Sequence, residues 1–386
     1  MKALRLTVVE NSSALTKATP AWESLWEESA ALNFFLSPTW CLAWWRHFGS
    51  GRQLRVVCAY EDEKMVGLWP LFEERVWRSG LLLNRWAFLG DGPSGADYLD
   101  ALAPTGKEAV VVRALAMHVH AGSWDLLELD GIDGASPALS TLADLFPAGP
   151  SAERQRVCEP RFVCPHVRCV GTFDSFLAAS GRAENLRRRE RWFAPLPGFR
   201  IEVTQDPAAV PVALEHFFTL HAARWSADGG SDGIRGDALL RFHREVADRL
   251  AARGELRLYT LFCADRALAS VYAIHAGRKL LYYQSGYDPV WRNKSPGLVL
   301  LGRVMRDAFE WGCTELDFLR GSEPYKFEWA QASRQTVCFT VRASARARLA
   351  AQGASVGRLL RRSTQRVLGE RAVHAVRTWR PAGESL

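Results

Sequence analysis

The spacing of apolar residues divides the first half of the chain into strands and helices. Residues 4–9 alternate between apolar and polar positions, as a half-buried strand does. Four apolar residues between positions 41 and 48 stand at helical intervals, and Ser37-Pro38 before them suits the start of a helix. The other predicted elements of this half are strands at 54–60, 65–72, 85–89, 98–101 and 124–129 and a helix at 107–120.

The second half repeats this order of elements. Its predicted helices are 184–193, 209–227, 237–253 and 297–311, and its predicted strands are 199–204, 256–262, 267–275, 279–287 and 315–319. In both halves a helix ends at a glycine and is followed by a strand that ends in Leu-Asp, at Gly122 to Asp130 and at Gly312 to Asp317. This internal repeat predicts two copies of one fold.

Composition and length narrow the class of protein. A chain of 386 residues with 48% apolar and 24% charged residues is typical of a globular protein with two or three domains. No segment approaches the roughly 18 uncharged apolar residues of a membrane span, and Glu10 interrupts the N-terminal apolar pattern. We therefore expect a cytoplasmic protein without a secretory signal.

The eight cysteines agree with a reducing compartment. Cys158, Cys164 and Cys169 lie near His166, which leaves a zinc site as an alternative, although the sequence has no C-x-x-C pair there. We favour the interpretation that these cysteines are small buried apolar residues, and we expect no metal.

Basic charge is concentrated near the C-terminus. Residues 342–380 contain ten arginines and one acidic residue, whereas the rest of the chain is close to neutral. Apolar residues from Leu349 to Leu368 lie among these arginines, which suits an amphipathic helix on an anionic membrane, a partner protein or nucleic acid. The alternative is a solvated extension. Our hypothesis is that this tail docks the protein at the inner membrane.

Nine of the fifteen tryptophans precede residue 125. Such residues either stack on sugar rings at a surface or fill an apolar core. The helical spacing of Trp44 and Trp45 favours the core.

A polar loop at a helix start is the strongest local indication of chemistry. The segment around Ser295 to Gly297 opens the predicted helix at 297–311, and Arg292 and Lys294 precede it. A helix N-terminus presents unpaired backbone N–H groups and a favourable dipole to an anion. The loop therefore suits a phosphate group, and the two cations strengthen that interpretation.

This segment resembles the CelD-like acetyltransferase family of the GNAT superfamily, which is associated with polysaccharide biosynthesis. The resemblance is carried by Gly286-Tyr287-Asp288-Pro289, Ser295-Pro296-Gly297, Asp317 to Gly321, Glu323, Tyr325, Lys326, Trp329, Leu220-His221, Arg224-Trp225 and the basic residues 186–189. It covers about residues 170 to 332. The first half resembles the companion domain of these proteins and of the Fem-type peptidoglycan aminoacyltransferases, which are tandem GNAT folds.

The resemblance implies an α/β protein with two tandem GNAT-like domains, each with a mixed central sheet flanked by helices. We expect an N-terminal GNAT-like domain at 1–165, an acyltransferase domain at 166–342 and a basic helical or disordered tail at 343–386. The first-half loop at 103–107 departs from the phosphate-loop pattern. We therefore expect the acyl-CoA site in the second half alone.

The resemblance also implies acyl transfer from acyl-CoA, most simply acetyl-CoA, by direct attack of an amine or hydroxyl on the thioester. The implied cofactor-binding residues are Arg292, Asn293, Lys294, Ser295, Pro296, Gly297 and Leu298. Asp317 or Glu323 would take a proton, Tyr325 would supply one to sulfur, and Lys326 or Arg320 would steady an anionic substrate group. The implied substrate-binding residues are His221, Arg224, Gln284, Tyr287 and Arg320.

Several of these residues have structural alternatives. Asp317 can pair with Arg320 or Lys326 to shape a turn, Tyr325 can pack in the core, and His221 can be a core histidine. The acceptor would be a saccharide, a cell-envelope precursor or another small molecule. Two rival functions stay open: a Fem-type transferase that binds aminoacyl-tRNA through the basic residues 187–191, and an inactive accessory protein of a polysaccharide synthase.

Overall fold

The computed structural model describes residues 4–29, 33–149, 154–227 and 234–354. The strands are β1 Arg5–Val9, β2 Gln53–Leu54, β3 Val56–Glu61, β4 Lys64–Trp69, β5 Leu71–Arg78, β6 Leu81–Phe88, β7 Leu126–Asp133, β8 Gln155–Arg168, β9 Arg200–Thr204, β10 Leu256–Cys263, β11 Arg266–Ala276, β12 Lys279–Tyr287, β13 Glu315–Asp317 and β14 Ala332–Arg342. The α-helices are α1 Ser12–Glu28, α2 Pro38–Phe48, α3 Glu108–Ala121, α4 Pro137–Leu145, α5 Phe173–Ala179, α6 Ala183–Phe193, α7 Val210–Ala227, α8 Asp237–Ala252, α9 Pro296–Glu310 and α10 Pro324–Phe327. Short 3-10 helices lie at Phe34–Leu36, Pro207–Ala209 and Pro289–Lys294.

One large mixed sheet runs through both halves. Its eleven strands lie in the order β2-β5-β6-β7-β14-β8-β13-β12-β11-β10-β9, and β1, β3 and β4 form a separate three-stranded sheet. Helices flank the sheet, and the α/β fold expected from the sequence is confirmed. Pro70 marks the point where the predicted strand 65–72 divides, because β4 before it joins the small sheet and β5 after it joins the large one.

The predicted repeat appears as matching strand pairs. In the first half β6 and β7 are parallel and α3 connects them; in the second half β12 and β13 are parallel and α9 connects them. The strand that follows each parallel pair in the chain lies in the other half: β8, which comes after β7, lies beside β13, and β14, which comes after β13, lies beside β7. Since β8 and β14 also pair with each other, the sheet is continuous across the two halves.

Some elements predicted from the sequence differ from those of the structure. The strand predicted at 98–101 is wrong: Tyr98 has a left-handed backbone, with a φ of 58°, and Asp100 accepts a hydrogen bond from Ser136. Helices α1, α4 and α5 and strand β14 were not predicted. The predicted domain boundary at 165/166 lies within β8, and the division into domains stays a prediction.

The tryptophan-rich segment forms core. Of the nine tryptophans before residue 125, seven are buried, and Trp22, Trp40, Trp44 and Trp69 are almost fully inaccessible to solvent. The core interpretation is therefore confirmed for these seven, whereas Trp77 is exposed. The indole of Trp40 packs against Phe242 from the second half, so the aromatic core helps to join the halves.

The beginning of the predicted tail packs on the first half. Residues 345–354 are helical, with Ala347 and Ala350 buried against Leu83. Arg346 contacts Asp125, and Leu349 is exposed. The rest of the predicted amphipathic segment, from residue 355 onward, lies outside the described residues.

The described part of the chain contains neither a cluster of metal ligands nor a helix that could cross a membrane. No group of three or more His, Cys, Asp or Glu side chains in it is placed to hold a metal ion. Among its helices, none is both long and apolar enough to cross a membrane.

Candidate functional site

A cleft opens where two neighbouring strands separate. β12 pairs with β13 over Lys279 to Leu281 only; β12 then continues to Tyr287, while the chain turns away after Asp317. The cleft has a volume of about 800 Å³. Its walls are the first-half loop at 92–97, the end of α7, the second half of β12 and the turn at 319–326.

A bulge in β12 lets four successive residues reach this cleft. Tyr272 on β11 pairs with Gln284 and Ala273 pairs with Tyr282, so Tyr283 has no partner in the ladder. Successive side chains of a regular strand point to opposite faces, whereas a bulge alters that alternation. Tyr282, Tyr283, Gln284 and Ser285 all line the cleft. The regular alternation of a strand therefore could not predict the direction of the Gln284 side chain.

Helix α7 lies directly against β12. A Cβ atom at Gly286 would stand 2.6 Å from the Cα of His221 and closer still to the backbone of Leu220, so only glycine fits this crossing. The close approach buries His221 between Phe217 and Trp225, and neither of its ring nitrogens has a hydrogen-bond partner among the described residues. Burial lowers the pKa of His221 to about 4, and the positive charge of Arg224 acts in the same direction.

One turn further along α7, Arg224 reaches into the cleft. Its guanidinium donates to the hydroxyl of Ser285 at 2.8 Å and to the Ser285 carbonyl at 3.2 Å. Tyr325 and Tyr282 line the cleft beside Ser285. Burial raises the pKa of Tyr325 well above its ordinary value, and its hydroxyl is protonated at neutral pH, as that of an ordinary tyrosine is.

The turn that follows β13 brings Glu323 and Lys326 together. The Lys326 ammonium donates to the carbonyl of Arg320 at 2.6 Å and lies 3.1 Å from a carboxylate oxygen of Glu323. Both side chains pack over Gly321, where a Cβ atom would stand 2.5 Å from the Lys326 nitrogen. The Lys326 side chain is buried, whereas that of Glu323 is 34% exposed and lines the cleft, with its Oε2 atom buried.

Arg320 is held by the first half of the chain. Its Nε donates to Asp97 at 2.7 Å and its backbone N–H donates to the other oxygen of that carboxylate at 2.9 Å. Its guanidinium also lies 4.2 Å from the ring centre of Phe162. Asp97 is fully buried, so its charge is matched by Arg320 rather than by solvent. The sequence analysis did not identify Asp97 as a site residue.

Asp317 lies away from the main cleft. It is 1% exposed and lines a smaller cavity of about 260 Å³. Its carboxylate accepts from Tyr98 at 2.9 Å, from Arg334 at 3.3 Å and from the backbone N–H of Leu319 at 2.7 Å. Its partner is thus Arg334 rather than the expected Arg320 or Lys326. Burial raises the pKa of Asp317 to about 7.

The predicted phosphate loop forms the N-terminus of α9. Ser295 adopts a left-handed backbone, with φ 60° and ψ 53°, its side chain makes no capping bond, and Pro296 starts the helix. In the part of the chain that the structure describes, a Cβ atom at Gly297 would meet nothing within 4 Å, so space is open beside the first turn. Arg292 and Lys294 are exposed beside it. This arrangement suits an anion.

Helix α6 packs beside that loop. Leu186 is buried against Gly302 of α9, where an added Cβ would stand 2.7 Å from the leucine side chain. Arg189 donates to the carbonyl of Asn293 at 2.9 Å, which ties α6 to the loop. The Lys294 ammonium lies 4.5 Å from the ring centre of Trp192.

Comparison with known proteins agrees with this geometry. Residues 180–327 match the family described as an acetyltransferase (GNAT) domain. The second half of the chain has the GNAT fold. This match indicates a transferase. A comparison of the chain with curated proteins found no match.

Two solved structures share the fold. FemX has a TM-score of 0.55 and 14% identity, covering 83% of this chain and 95% of its own. L-PGS from Bacillus licheniformis has a TM-score of 0.52 and 13% identity, covering 89% of this chain and 96% of its own. At these identities the likeness shows the fold alone.

The structure gathers only part of the predicted site into one cleft. The predicted residues that line it are Arg224, Gln284, Arg320, Glu323, Tyr325 and Lys326. His221, Tyr287 and Asp317 are not on its wall, and the loop at 292–298 lies at the start of α9. The roles assigned to all of these residues stay predictions. Ser285 and Asp97 were missed, because their importance depends on contacts with Arg224 and Arg320 that the sequence does not reveal.

Proposed function

We propose that this protein transfers an acyl group from acyl-CoA, most simply acetyl-CoA, to an amine or hydroxyl of an acceptor held in the cleft. The observation that supports this most directly is a shared strand, β12. One part of β12 lines the cleft, and its end leads through the 3-10 helix into the N-terminus of α9. An anion at α9 and a reacting group in the cleft can therefore belong to one extended substrate.

The residues at the start of α9 fit the pyrophosphate of a coenzyme A ester. The open space at Gly297 leaves room for a phosphate against the first turn. The helix dipole and the exposed cations Arg292 and Lys294 favour negative charge at the same point. Acyl-CoA supplies the thioester; binding and orienting it are the tasks of this chain.

Cleft residues suit the proton transfers of direct acyl transfer. In the reaction a bond forms between the acceptor nitrogen or oxygen and the acyl carbon, and the carbon–sulfur bond breaks. Glu323 takes the proton from the acceptor, because it is a partly exposed carboxylate that lines the cleft. Tyr325 returns a proton to the departing sulfur, because its protonated hydroxyl lines the same cleft. Asp317, which is buried behind Tyr98, shapes the turn in this scheme.

Arg224 and Lys326 place positive charge on the cleft wall and are suited to an anionic or polyhydroxylated acceptor. The aromatic side chains of Trp225 and Phe162 line the same cleft and offer apolar surface to a sugar ring. On this basis we propose a saccharide or cell-envelope precursor as acceptor. The resemblance to the CelD-like family supports the same class.

The donor proposal is tested by calorimetry with acetyl-CoA and free CoA. Gly297→Glu places a carboxylate where the pyrophosphate would bind, whereas Gly297→Gln adds nearly the same volume without charge. We expect Gly297→Glu to abolish binding and Gly297→Gln to weaken it far less, with unchanged circular dichroism in both because the added side chain enters open space. Equal affinity of the wild type and Gly297→Glu would refute the donor site.

The acceptor site is tested through turnover. Lys326→Ala should lower the rate of CoA release in the presence of a panel of amino sugars while leaving the affinity for acetyl-CoA within about twofold, because Lys326 lies in the cleft and not at α9. Equal losses in turnover and donor affinity would place Lys326 outside the acceptor site.

An aminoacyl-tRNA donor is the second candidate. The arginines of α6 beside the α9 loop are the observation that favours it. Salt-sensitive binding of bulk tRNA, together with no heat of binding from either CoA species, would select this candidate. An absence of binding to all three would favour an accessory role.

A further inference from the structure

The outer face of α6 forms a cationic surface with exposed apolar residues at its centre. We define the α6 patch as Arg187, Arg188, Arg191, Trp192, Val290 and Lys294. All six residues are exposed; Val290 is 82% exposed and Trp192 is 37% exposed. Trp291 connects the two apolar residues, because it follows Val290 in the chain and its ring lies 6.3 Å from that of Trp192.

The four cations of this patch outnumber the two acidic residues of α6, Glu184 and Glu190, and the charge of Glu190 interacts with that of Arg187. Within the described residues, Arg188 bonds to the amide oxygen of Asn185 and Arg191 to the carbonyl of Arg187, and none of the four cations forms an ion pair with a carboxylate. Exposed arginines elsewhere do so, for example Arg244 with Glu215. The α6 patch therefore keeps a positive potential that an anionic partner would neutralise.

The patch is also held in a fixed position. Leu186 is buried on the opposite side of α6 against Gly302, and Arg189 bonds to the loop before α9. The Lys294 ammonium covers one face of the Trp192 ring, and Phe193 contacts the same ring at 4.9 Å between centroids. The surface is thus preformed, and binding would require little ordering of side chains.

The geometry points to an anionic lipid surface as the partner of the α6 patch. Basic side chains around exposed Trp and aliphatic residues suit the lipid headgroup region, where the cations meet phosphates and the apolar side chains enter the acyl boundary. Nucleic acid fits less well, because Lys294 covers one face of Trp192 and Val290 has no group that recognises a base. This inference does not rest on acyl-CoA binding.

The test uses the full chain, so that residues 355–386 are the same in every sample. Arg187→Gln, Arg188→Gln and Arg191→Gln are combined in one variant. The matched control combines Arg75→Gln, Arg113→Gln and Arg241→Gln, which removes the same charge from exposed positions on β5, α3 and α8. Binding is measured by co-sedimentation with vesicles of phosphatidylglycerol mixed with phosphatidylcholine and with vesicles of phosphatidylcholine alone.

We expect the wild type to bind the phosphatidylglycerol vesicles and to be released by salt in part, because salt screens the arginines but not the apolar insertion. Each lost arginine near an anionic surface lowers the partition coefficient about fivefold, so the α6 variant should bind about a hundredfold more weakly than the wild type. The control should change binding less than threefold. Trp192→Ala should weaken the binding that persists in salt, because that part depends on apolar insertion.

Equal binding of the α6 variant and its control would overturn the proposal. So would unchanged vesicle binding by the α6 variant with loss of its binding to bulk tRNA, which would assign the patch to nucleic acid. Circular dichroism of both variants verifies that the fold is kept, as expected for exposed side chains without ion pairs.

Discussion

The crossing of α7 over β12 makes a sharp prediction about Gly286. In Gly286→Ala the new methyl group would stand 2.6 Å from the Cα of His221 and closer still to the His221 nitrogen and the Leu220 carbonyl carbon. Carbon atoms in good contact are about 3.5–4.0 Å apart. The atoms that would be struck belong to the helix backbone, so they cannot rotate away, and α7 must move outward by about 1 Å to restore that spacing.

Such overpacking costs about 1–3 kcal/mol of the free energy of unfolding. The entropic benefit of replacing glycine by alanine offsets about 0.4–1 kcal/mol of that cost at most. The displacement also affects the cleft, because α7 carries Arg224 and its bonds to Ser285 span this crossing. Gly286→Ala should therefore be both less stable and less active than the wild type.

Two other glycines give matched controls in urea denaturation followed by tryptophan fluorescence. At Gly297 an added methyl group meets nothing within 4 Å, so Gly297→Ala should cost no stability. At Gly302 it meets the flexible side chain of Leu186 at 2.7 Å, so Gly302→Ala should fall between the two. The reasoning fails if Gly286→Ala is as stable as Gly297→Ala, or if Gly302→Ala is the least stable of the three.

Other contacts of the site give three further predictions. The pKa of Asp317 is about 7 in the folded state and 3.8 in an unperturbed carboxyl, so its stabilising contribution is complete below about pH 4 and is lost as the pH rises to about 7. The free energy of unfolding of the wild type, relative to that of Asp317→Asn, should therefore decline between these pH values. A difference that stays constant with pH would contradict the raised pKa. Asp97→Ala should cost about 3 kcal/mol in urea denaturation because it leaves Arg320 unpaired, whereas Glu215→Ala at the exposed ion pair with Arg244 should cost far less; similar costs would contradict the buried pairing. Tyr325→Phe should lower kcat about a hundredfold or more with unchanged affinity for acetyl-CoA, and a normal kcat would exclude Tyr325 as the proton donor.

Most elements of the second half were predictable because the pattern of apolar residues within each element is enough to identify it. Strand β10 is buried along its whole length and α8 has a regular apolar face, so length and periodicity identify them without tertiary information. Strand β14 was missed for the opposite reason. Its partners are β7 and β8, both far away in the chain, and its own polar residues, such as Arg334 and Gln335, weaken the local strand pattern.

The candidate site divides in the same way. The turn at 319–326 could be located because the residues that carry its resemblance to a known family lie within one short segment. Asp97 could not, because its role depends on Arg320, 223 residues later. The left-handed backbone of Tyr98, which directs its hydroxyl to Asp317, has no signal in a tyrosine, since that conformation is uncommon for any residue other than glycine.

The first half contributes to the candidate site, although its loop at 103–107 lacks the pair of cations found in the predicted phosphate loop. Lys107 in this loop is paired with Glu61. Hydrogen bonds connect residues 94–98 of the first half to the strands and turn of the second half: among them, Arg320 donates to Asp97, Tyr98 donates to Asp317 and Tyr283 donates to the carbonyl of Ser94. The loop is thereby fixed as one wall of the cleft, opposite α7. In the proposed function this wall faces the acceptor and α9 holds the donor, so we expect selectivity for the acceptor and affinity for the donor to be controlled by separate parts of the chain.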